Sequence, residues 1–167
     1  MKTRIAINGF GRIGRNLFRL LLNHPTIEVV AINDIADNKT MAHLVKYDSI
    51  HGVLNHKVSF SDDSIIIDEK SFLFFHEREI KNLDWKSVNV DIVIESTGKF
   101  KTFEEINQHI LAGAKKVILS APSEVDEIKT VVLGVNEHIL DGSETIISNA
   151  SCTTNNAAPM IKIIQEL

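Results

Sequence analysis

Cysteine occurs once in this chain, at Cys152, so no internal disulfide and no multi-cysteine metal site can form. Proline is almost as scarce, with three in 167 residues, and no Pro/Gly-rich linker, repeat or low-complexity tract interrupts the chain. Neither sign of charge dominates. The formal net charge is -4 with the signs interspersed, which leaves no basic stripe to neutralise a phosphate backbone, and nucleic acid is not expected as a ligand. A secretory leader is also lacking: Met1-Lys2-Thr3-Arg4-Ile5 runs directly into an apolar strand, as expected of a cytoplasmic protein with no membrane segment. The seven histidines include no pair at the H-x-x-x-H spacing that gathers ligands on one helix face, so no metal is expected. What is present is 44% hydrophobic and 24% charged residues, the balance of a folded globular chain of one ordinary domain rather than two complete ones.

Short apolar, β-branched runs recur at Arg4–Ile7, Glu28–Ile32, Asp91–Ile94, Lys116–Leu119, Thr130–Leu133 and Thr145–Ile147. Consecutive apolar positions predict strands buried on both faces, as in a parallel sheet flanked by helices. Between the first two runs, Ile13, Leu17, Leu20 and Leu21 fall at helical spacing and Pro25 follows the expected end, which makes one βαβ unit. A second helix is predicted over Phe103–Leu111, opened by Thr102 as N-cap with Glu104 and Glu105 in its first turn, and closed by Gly113. Between Val58 and Phe75 the pattern changes. Three apolar runs there are separated by the polar tips Ser61–Asp63 and Asp68–Ser71, which predicts antiparallel strands inserted in the first half of the domain.

Directly after the first strand comes Asn8-Gly9-Phe10-Gly11-Arg12-Ile13-Gly14. A G-x-G-x-x-G pattern in isolation is a weak signal, because any glycine-rich turn can produce it. Its physical content is a tight turn at Gly9, a backbone at Gly11 that can approach a pyrophosphate, and close helix–strand packing at Gly14. Here the strand, glycines, helix and second strand occur in order, and the second strand ends at Asn33-Asp34, where an acidic residue meets the adenosine ribose. A carboxylate at Asp34 accepts from a 2′-hydroxyl and repels a 2′-phosphate, so the expected cofactor is NAD rather than NADP. Arg12, inside the fingerprint, is read as supporting the pyrophosphate.

Near the C-terminus, Thr145–Ile147 leads into Ser148-Asn149-Ala150-Ser151-Cys152-Thr153-Thr154-Asn155, followed by helical character to Leu167. A lone cysteine is most often a small buried hydrophobe. Cys152 differs in its setting, at a helix N-terminus among hydroxyls, where the dipole and unpaired N–H groups favour a thiolate. Ser151 and Thr153 could hydrogen-bond a substrate or cap the helix. Pro159, inside the expected helix, predicts a kink or a restart one turn earlier.

With these residues in view, the chain resembles the glyceraldehyde-3-phosphate dehydrogenases along essentially its whole length. The resemblance runs through Ile7–Arg15, Ala31–Asp34, Lys46–Ser49 with His51-Gly52, Glu77-Arg78, Glu95–Gly98, Gly113–Val117 and Ser120–Pro122, and is most specific in SNASCTTN from Ser148 to Asn155. It implies a Rossmann-type doubly wound α/β fold, mainly parallel, with residues 1–150 as the NAD-binding domain and 151–167 as the start of a truncated catalytic domain. It further implies that Cys152 attacks an aldehyde, forming a thiohemiacetal and then a thioester that inorganic phosphate cleaves. By the same resemblance Ser151 and Thr153 contact the phosphorylated aldehyde, the Cys152 N–H helps hold the oxyanion, and Arg12 and Ile13 contact the pyrophosphate. Asp34 takes the ribose and Arg78 the adenine end, while Thr97 and Ser120 line the cofactor cleft; the assignments of Arg78 and Ser120 rest chiefly on the resemblance.

Two departures stand out. Asn156 occupies the place of a second cysteine found in many members, and the sequence stops at Leu167, before the family's catalytic histidine and substrate-phosphate arginines. The expected activity is therefore that of a longer, homotetrameric glycolytic protein, with little turnover by this chain alone. An erythrose-4-phosphate dehydrogenase, suggested by Met41-Ala42-His43-Leu44, is an alternative. A module that binds NAD and carries a redox-reactive Cys152 is another.

Overall fold

The computed structural model describes residues 2–167. Its centre is a nine-stranded sheet. The first βαβ unit is β1 (Thr3–Asn8), α1 (Arg12–Leu21) and β2 (Ile27–Asn33), followed by a second helix, α2 (Asn38–Lys46). Two short hairpin strands, β3 (Tyr47–Asp48) and β4 (Gly52–Val53), pair only with each other. Then come β5 (Val58–Phe60), β6 (Ser64–Ile67), β7 (Lys70–Phe75), β8 (Ile92–Glu95), α3 (Phe103–Leu111), β9 (Lys116–Leu119), β10 (Lys129–Thr130), β11 (Ile146–Ser148) and α4 (Cys152–Glu166). Two 3₁₀ turns, Ile80–Asn82 and Glu137–Ile139, fill connections.

The strand order is β10-β11-β9-β8-β1-β2-β7-β6-β5. From β10 to β7 every neighbouring pair is parallel, and β7-β6-β5 are antiparallel. The inserted antiparallel part thus lies where the polar tips place it. Its third strand does more than the sequence pattern indicates, because β7 also runs parallel to β2 and extends the main sheet. The run expected at Thr130–Leu133 shortens to β10, and Leu133 is exposed.

Side-chain alternation divides the core between the two sheet faces, as helices on both sides require. On one face Ile5, Ile7, Val29 and Ile32 pack with Phe10, Phe18, Phe72 and Phe74 beneath α1 and α2. Phe18 meets Phe10 and Phe72 edge-on, with ring centroids 5.4 and 4.8 Å apart. On the other, Ala6, Ala31, Val93, Val117 and Leu119 pack with Trp85, Val90 and Ile106. The packed stripe of α1 is Gly14 and Phe18, whereas Ile13 and Leu20, expected on that face, are exposed.

Local chemistry accounts for the helix ends. Thr102 and Glu105 form a complete capping box on α3. Asp37 accepts from Thr40 N–H at 2.8 Å and opens α2, a helix the strand-centred reading passes over although Met41, Ala42 and Val45 give it a buried side. In α4 the helix is continuous through Pro159, so neither a restart nor a break occurs. Proline there forfeits the bond to the Asn155 carbonyl, one turn back.

Candidate functional site

Strand β1 neighbours both β2 and β8, and the chain winds outward in opposite directions from it, so a crevice opens beyond the C-terminal ends of these strands. The residues lining it follow four strand ends: Asn8, Gly9 and Gly11 after β1, Asn33, Asp34 and Ile35 after β2, Glu77 and Arg78 after β7, and Ser96, Thr97, Lys99 and Phe100 after β8. Of the residues singled out in the sequence, Gly9, Gly11, Asp34, Arg78 and Thr97 come together here.

The glycines have different reasons to be glycine. Gly9 has φ of +92°, and a Cβ on it would lie 2.5 Å from the Thr97 nitrogen. A Cβ on Gly14 would lie 2.2 Å from the Gly9 carbonyl oxygen, so this position closes the helix onto the strand. At Gly11 an added Cβ meets nothing within 4 Å. The space in front of Gly11 is left open by the chain itself, as a cradle for an approaching ligand must be. The start of α1 has no side-chain cap, whereas Asp37, Thr102 and Ser151 cap the other three α-helices. Its first intrahelical bond is Arg15 N–H to Gly11 O, so the amides of Gly11, Arg12 and Ile13 precede the ladder at the cleft mouth.

Asp34 holds this loop in shape. Its Oδ2 accepts from Phe10 N–H at 2.7 Å and its Oδ1 from Ala36 N–H at 3.0 Å. Two backbone bonds leave part of the carboxylate's acceptor capacity for a further hydroxyl. Arg12 and Ile13 are exposed at the helix start. Arg15 braces the loop from behind, donating to Phe10 O at 2.9 Å, and burial pulls its guanidinium below the usual arginine value while Asp48 and Asp34 oppose that shift.

Across the cleft, Thr97 donates to Glu95 Oε1 through both its N–H (2.8 Å) and its hydroxyl (2.5 Å). Ser96 donates to Gly9 O at 2.7 Å, fastening the glycine turn to the β8 end. Ser120 stands one strand further out, at the end of β9, where its N–H donates to Glu95 O at 2.9 Å. It does not line the crevice.

A second feature lies at the end of β11. Ser148 Oγ donates to Ala121 O (2.6 Å) and accepts from Ala150 N–H (3.1 Å), and Ala150 adopts a left-handed φ of 57°. That conformation costs a non-glycine residue about 1–2 kcal/mol, so the turn is held by its surroundings. Asn155 supplies part of the hold by donating to Asn149 O and Ser151 O at 2.7 and 3.0 Å. The turn delivers Cys152, exposed, as the first residue of α4. Ser151 Oγ caps the helix by accepting from Thr154 N–H at 3.0 Å, and lies 2.8 Å from the Thr153 hydroxyl. Cys152 is not among the residues lining the crevice, and among the described residues no hydrogen bond joins it to a histidine.

Sequence reasoning missed Glu95, Asn8, Asn33 and Glu77 as parts of the site, although each stands one or two positions before a residue it did name. It gave His109 no part in the site; in the structure this histidine is fully buried and hydrogen-bonded. No helix is long and apolar enough to cross a membrane, and among the described residues no cluster of histidine, cysteine and carboxylate side chains could hold a metal.

Comparison with known proteins agrees with this geometry. The family described as glyceraldehyde 3-phosphate dehydrogenase, NAD binding domain, matches residues 3–103. The chain is 50% identical over 167 residues to the glyceraldehyde-3-phosphate dehydrogenase of Geobacillus stearothermophilus, a match over 99% of this chain and 50% of that protein. It is 52% identical over 165 residues to that of Thermotoga maritima, covering 98% and 49% respectively. With the protein of Mycoplasma pneumoniae the identity is 51% over 163 residues, covering 98% and 48%. The chain spans about half the length of the curated relatives it matches.

Proposed function

This chain belongs to the glyceraldehyde 3-phosphate dehydrogenase family, and on that footing we propose that it supplies the NAD site and the nucleophile for oxidation of glyceraldehyde 3-phosphate to 1,3-bisphosphoglycerate by a longer protein. In this reading residues 1–150 form the cofactor-binding domain and 151–167 open the catalytic one. The longer protein is a cytoplasmic homotetramer, a reading supported by the family resemblance.

The observation that carries the proposal is the uncapped start of α1 facing open space at Gly11, with Asp34 at its side. A pyrophosphate would be held by the amides of Gly11, Arg12 and Ile13 with the Arg12 side chain at the mouth. Asp34 would accept from the adenosine ribose, Arg78 would flank the adenine end, and Thr97 would border the nicotinamide half, with Ser120 one strand further out. NAD, when bound, supplies a hydride acceptor. The chain's own chemistry is that of Cys152. Its Sγ attacks the aldehyde carbon, and the resulting thiohemiacetal becomes a thioester when that carbon gives up its hydride and the hydroxyl oxygen releases its proton. Inorganic phosphate then attacks the thioester carbonyl, and the C–S bond breaks to return the thiolate and release the acyl phosphate. Ser151 and Thr153 would bind the substrate, and the Cys152 N–H, at a helix start, would stabilise the oxyanion.

Calorimetric titration of the chain with NAD and NADP tests the cofactor assignment. NAD is expected to bind more tightly, and Asp34→Ala to narrow the gap. Equal affinity for NADP in the unmodified chain would overturn the role given to Asp34.

A further inference from the structure

The four strand ends that line the crevice are joined by one chain of buried and part-buried hydrogen bonds that ends on Glu95. At one end the Trp85 indole N–H, which can only donate, meets His109 Nδ1 at 2.9 Å. His109 Nδ1 is therefore the acceptor and its proton resides on Nε2, which donates to Glu95 Oε2 at 2.9 Å. The contact is a hydrogen bond from a neutral ring. At the other end the Glu77 backbone N–H donates to Asn33 Oδ1 (2.8 Å), which turns Asn33 Nδ2 toward Glu77 O (2.9 Å) and Asn8 Oδ1 (2.7 Å). Asn8 Nδ2 in turn donates to Glu95 Oε2 at 2.5 Å. From the cleft wall, Thr97 N–H and hydroxyl donate to Glu95 Oε1. Asn8, Glu95 and His109 are at most 1% exposed.

We propose, building on the assignment of the crevice to NAD, that Glu95 is the positioning residue of the cofactor cleft. Its two oxygens accept directly from Asn8 at the end of β1, from Thr97 beyond β8 and from His109, and the ends of β2 and β7 reach it through Asn33 and Asn8. Each tethered residue stands directly before a cleft residue: Asn8 before Gly9, Asn33 before Asp34, Glu77 before Arg78, and Glu95 before Ser96 and Thr97. Apart from the rotatable Thr97 hydroxyl, none of the donors to Glu95 can turn away. His109 cannot move its proton to Nδ1 while Trp85 donates there, Asn33 cannot flip against the Glu77 amide, and Asn8 cannot flip against Asn33. An isosteric amide at position 95 thus sets its NH₂ against at least one fixed donor, and a buried donor without an acceptor is costly.

The same donor pattern admits a repair. In the double variant Asn8→Asp with Glu95→Gln, the carboxylate moves one link along the chain. The carboxylate now at position 8 would accept from Asn33, from the new amide at position 95 and from His109 Nε2, which already lies 3.4 Å from the Asn8 nitrogen. The amide oxygen at position 95 would keep both Thr97 bonds.

NAD affinity and amide hydrogen exchange at Glu77 and Thr97 are measured in the 167-residue chain and both variants. Glu95→Gln is expected to weaken NAD binding about 10- to 100-fold and to speed exchange at both amides, and the double variant to recover most of each. If Glu95→Gln does not fold, a folded double variant that binds NAD supports the proposal, and a double variant that also fails overturns it. Unchanged NAD binding and exchange in Glu95→Gln overturn the proposal while leaving the cofactor assignment in place. If the unmodified chain binds no NAD, the cofactor assignment fails, and exchange alone decides whether Glu95 holds the cleft: faster exchange in the single variant, repaired in the double, supports it, and unchanged exchange overturns it.

Discussion

Helices α1 and α4 both begin at the C-terminal end of a parallel strand, and they are finished in opposite ways. The α1 start is uncapped, is pressed to the sheet through Gly14, and is tied into buried structure by Asp34. The α4 start is capped by Ser151, yet α4 contains no buried residue, and its Met160, Ile161, Ile163 and Ile164 are 53% to 70% exposed. At α1 the polar groups left free face a prepared space lined by four strand ends. At α4 the turn that aims Cys152 is built while the helix behind it is held only along one half-buried edge, where Lys162 donates to Gly134 O at 2.8 Å. The cofactor cleft is therefore enclosed by packed strand ends, whereas the nucleophile turn rests on an exposed helix.

Glycine substitution probes the packed cleft most severely. Gly14→Ala is expected to lose about 1–3 kcal/mol of stability by forcing α1 off β1, and NAD binding with it. Gly11→Ala meets no atom of the chain and should hold stability within about 0.5 kcal/mol. Its NAD affinity should nevertheless fall about tenfold or more, since the new Cβ enters the ligand's space. Urea unfolding and NAD titration of both variants check this, and a Gly11→Ala chain that binds NAD normally would break the contrast. The second site should respond more locally. Ser151→Ala removes the cap and should cost about 1 kcal/mol, read as faster amide exchange at Thr154 with the sheet amides unchanged. A global loss of protection would show α4 to be coupled to the core after all.

The smallest effect lies in the turn that feeds β11. Glu144 is held down to about 2, chiefly by its 2.5 Å hydrogen bond from Lys129, and Asp141 to about 2, chiefly by Ser143. Lys129 is raised in return, first by Glu144. Depressed carboxyl values stabilise the turn above their ordinary range, and that contribution is lost as pH falls from about 4.5 through about 2. The lysine's share runs the other way, present below its ordinary value and lost as pH rises through the elevated one. Lys129→Ala should return Glu144 toward the usual carboxylate range and move Asp141 less, measured by carboxyl NMR titration. Equal movement of the two would mean that Lys129, not Ser143, holds Asp141.

Much of this arrangement was legible without coordinates. The β-branched runs other than Thr130–Leu133, the N-cap at Thr102, and the spacing from Gly14 to Asp34 are local signals, and each appears in the structure where its chemistry places it. Helix α2 left a local signal too, in Asp37 before Met41, Ala42 and Val45, but its polar first turn concealed it. The double pairing of β7 was not legible, since a strand's second neighbour depends on which edge the sheet presents to it. Glu95 and His109 were hidden more deeply. A glutamate and a histidine fourteen positions apart carry no periodicity that marks them as partners.

The amino-acid sequence by itself determined the order of strands and helices, the glycine loop and its acidic companion, and the serine–cysteine turn. These depend on backbone freedom, capping and hydrophobic alternation over a few residues. Tertiary structure alone decided that Asn8, Asn33, Glu77 and Glu95 would meet, that the His109 proton would sit on Nε2, and that Ser120 would fall outside the crevice. Hydrogen bonds between residues as much as 87 positions apart exist only once parallel strands set their ends side by side. Which groups then donate and which accept is settled by the fixed donors at either end of the chain.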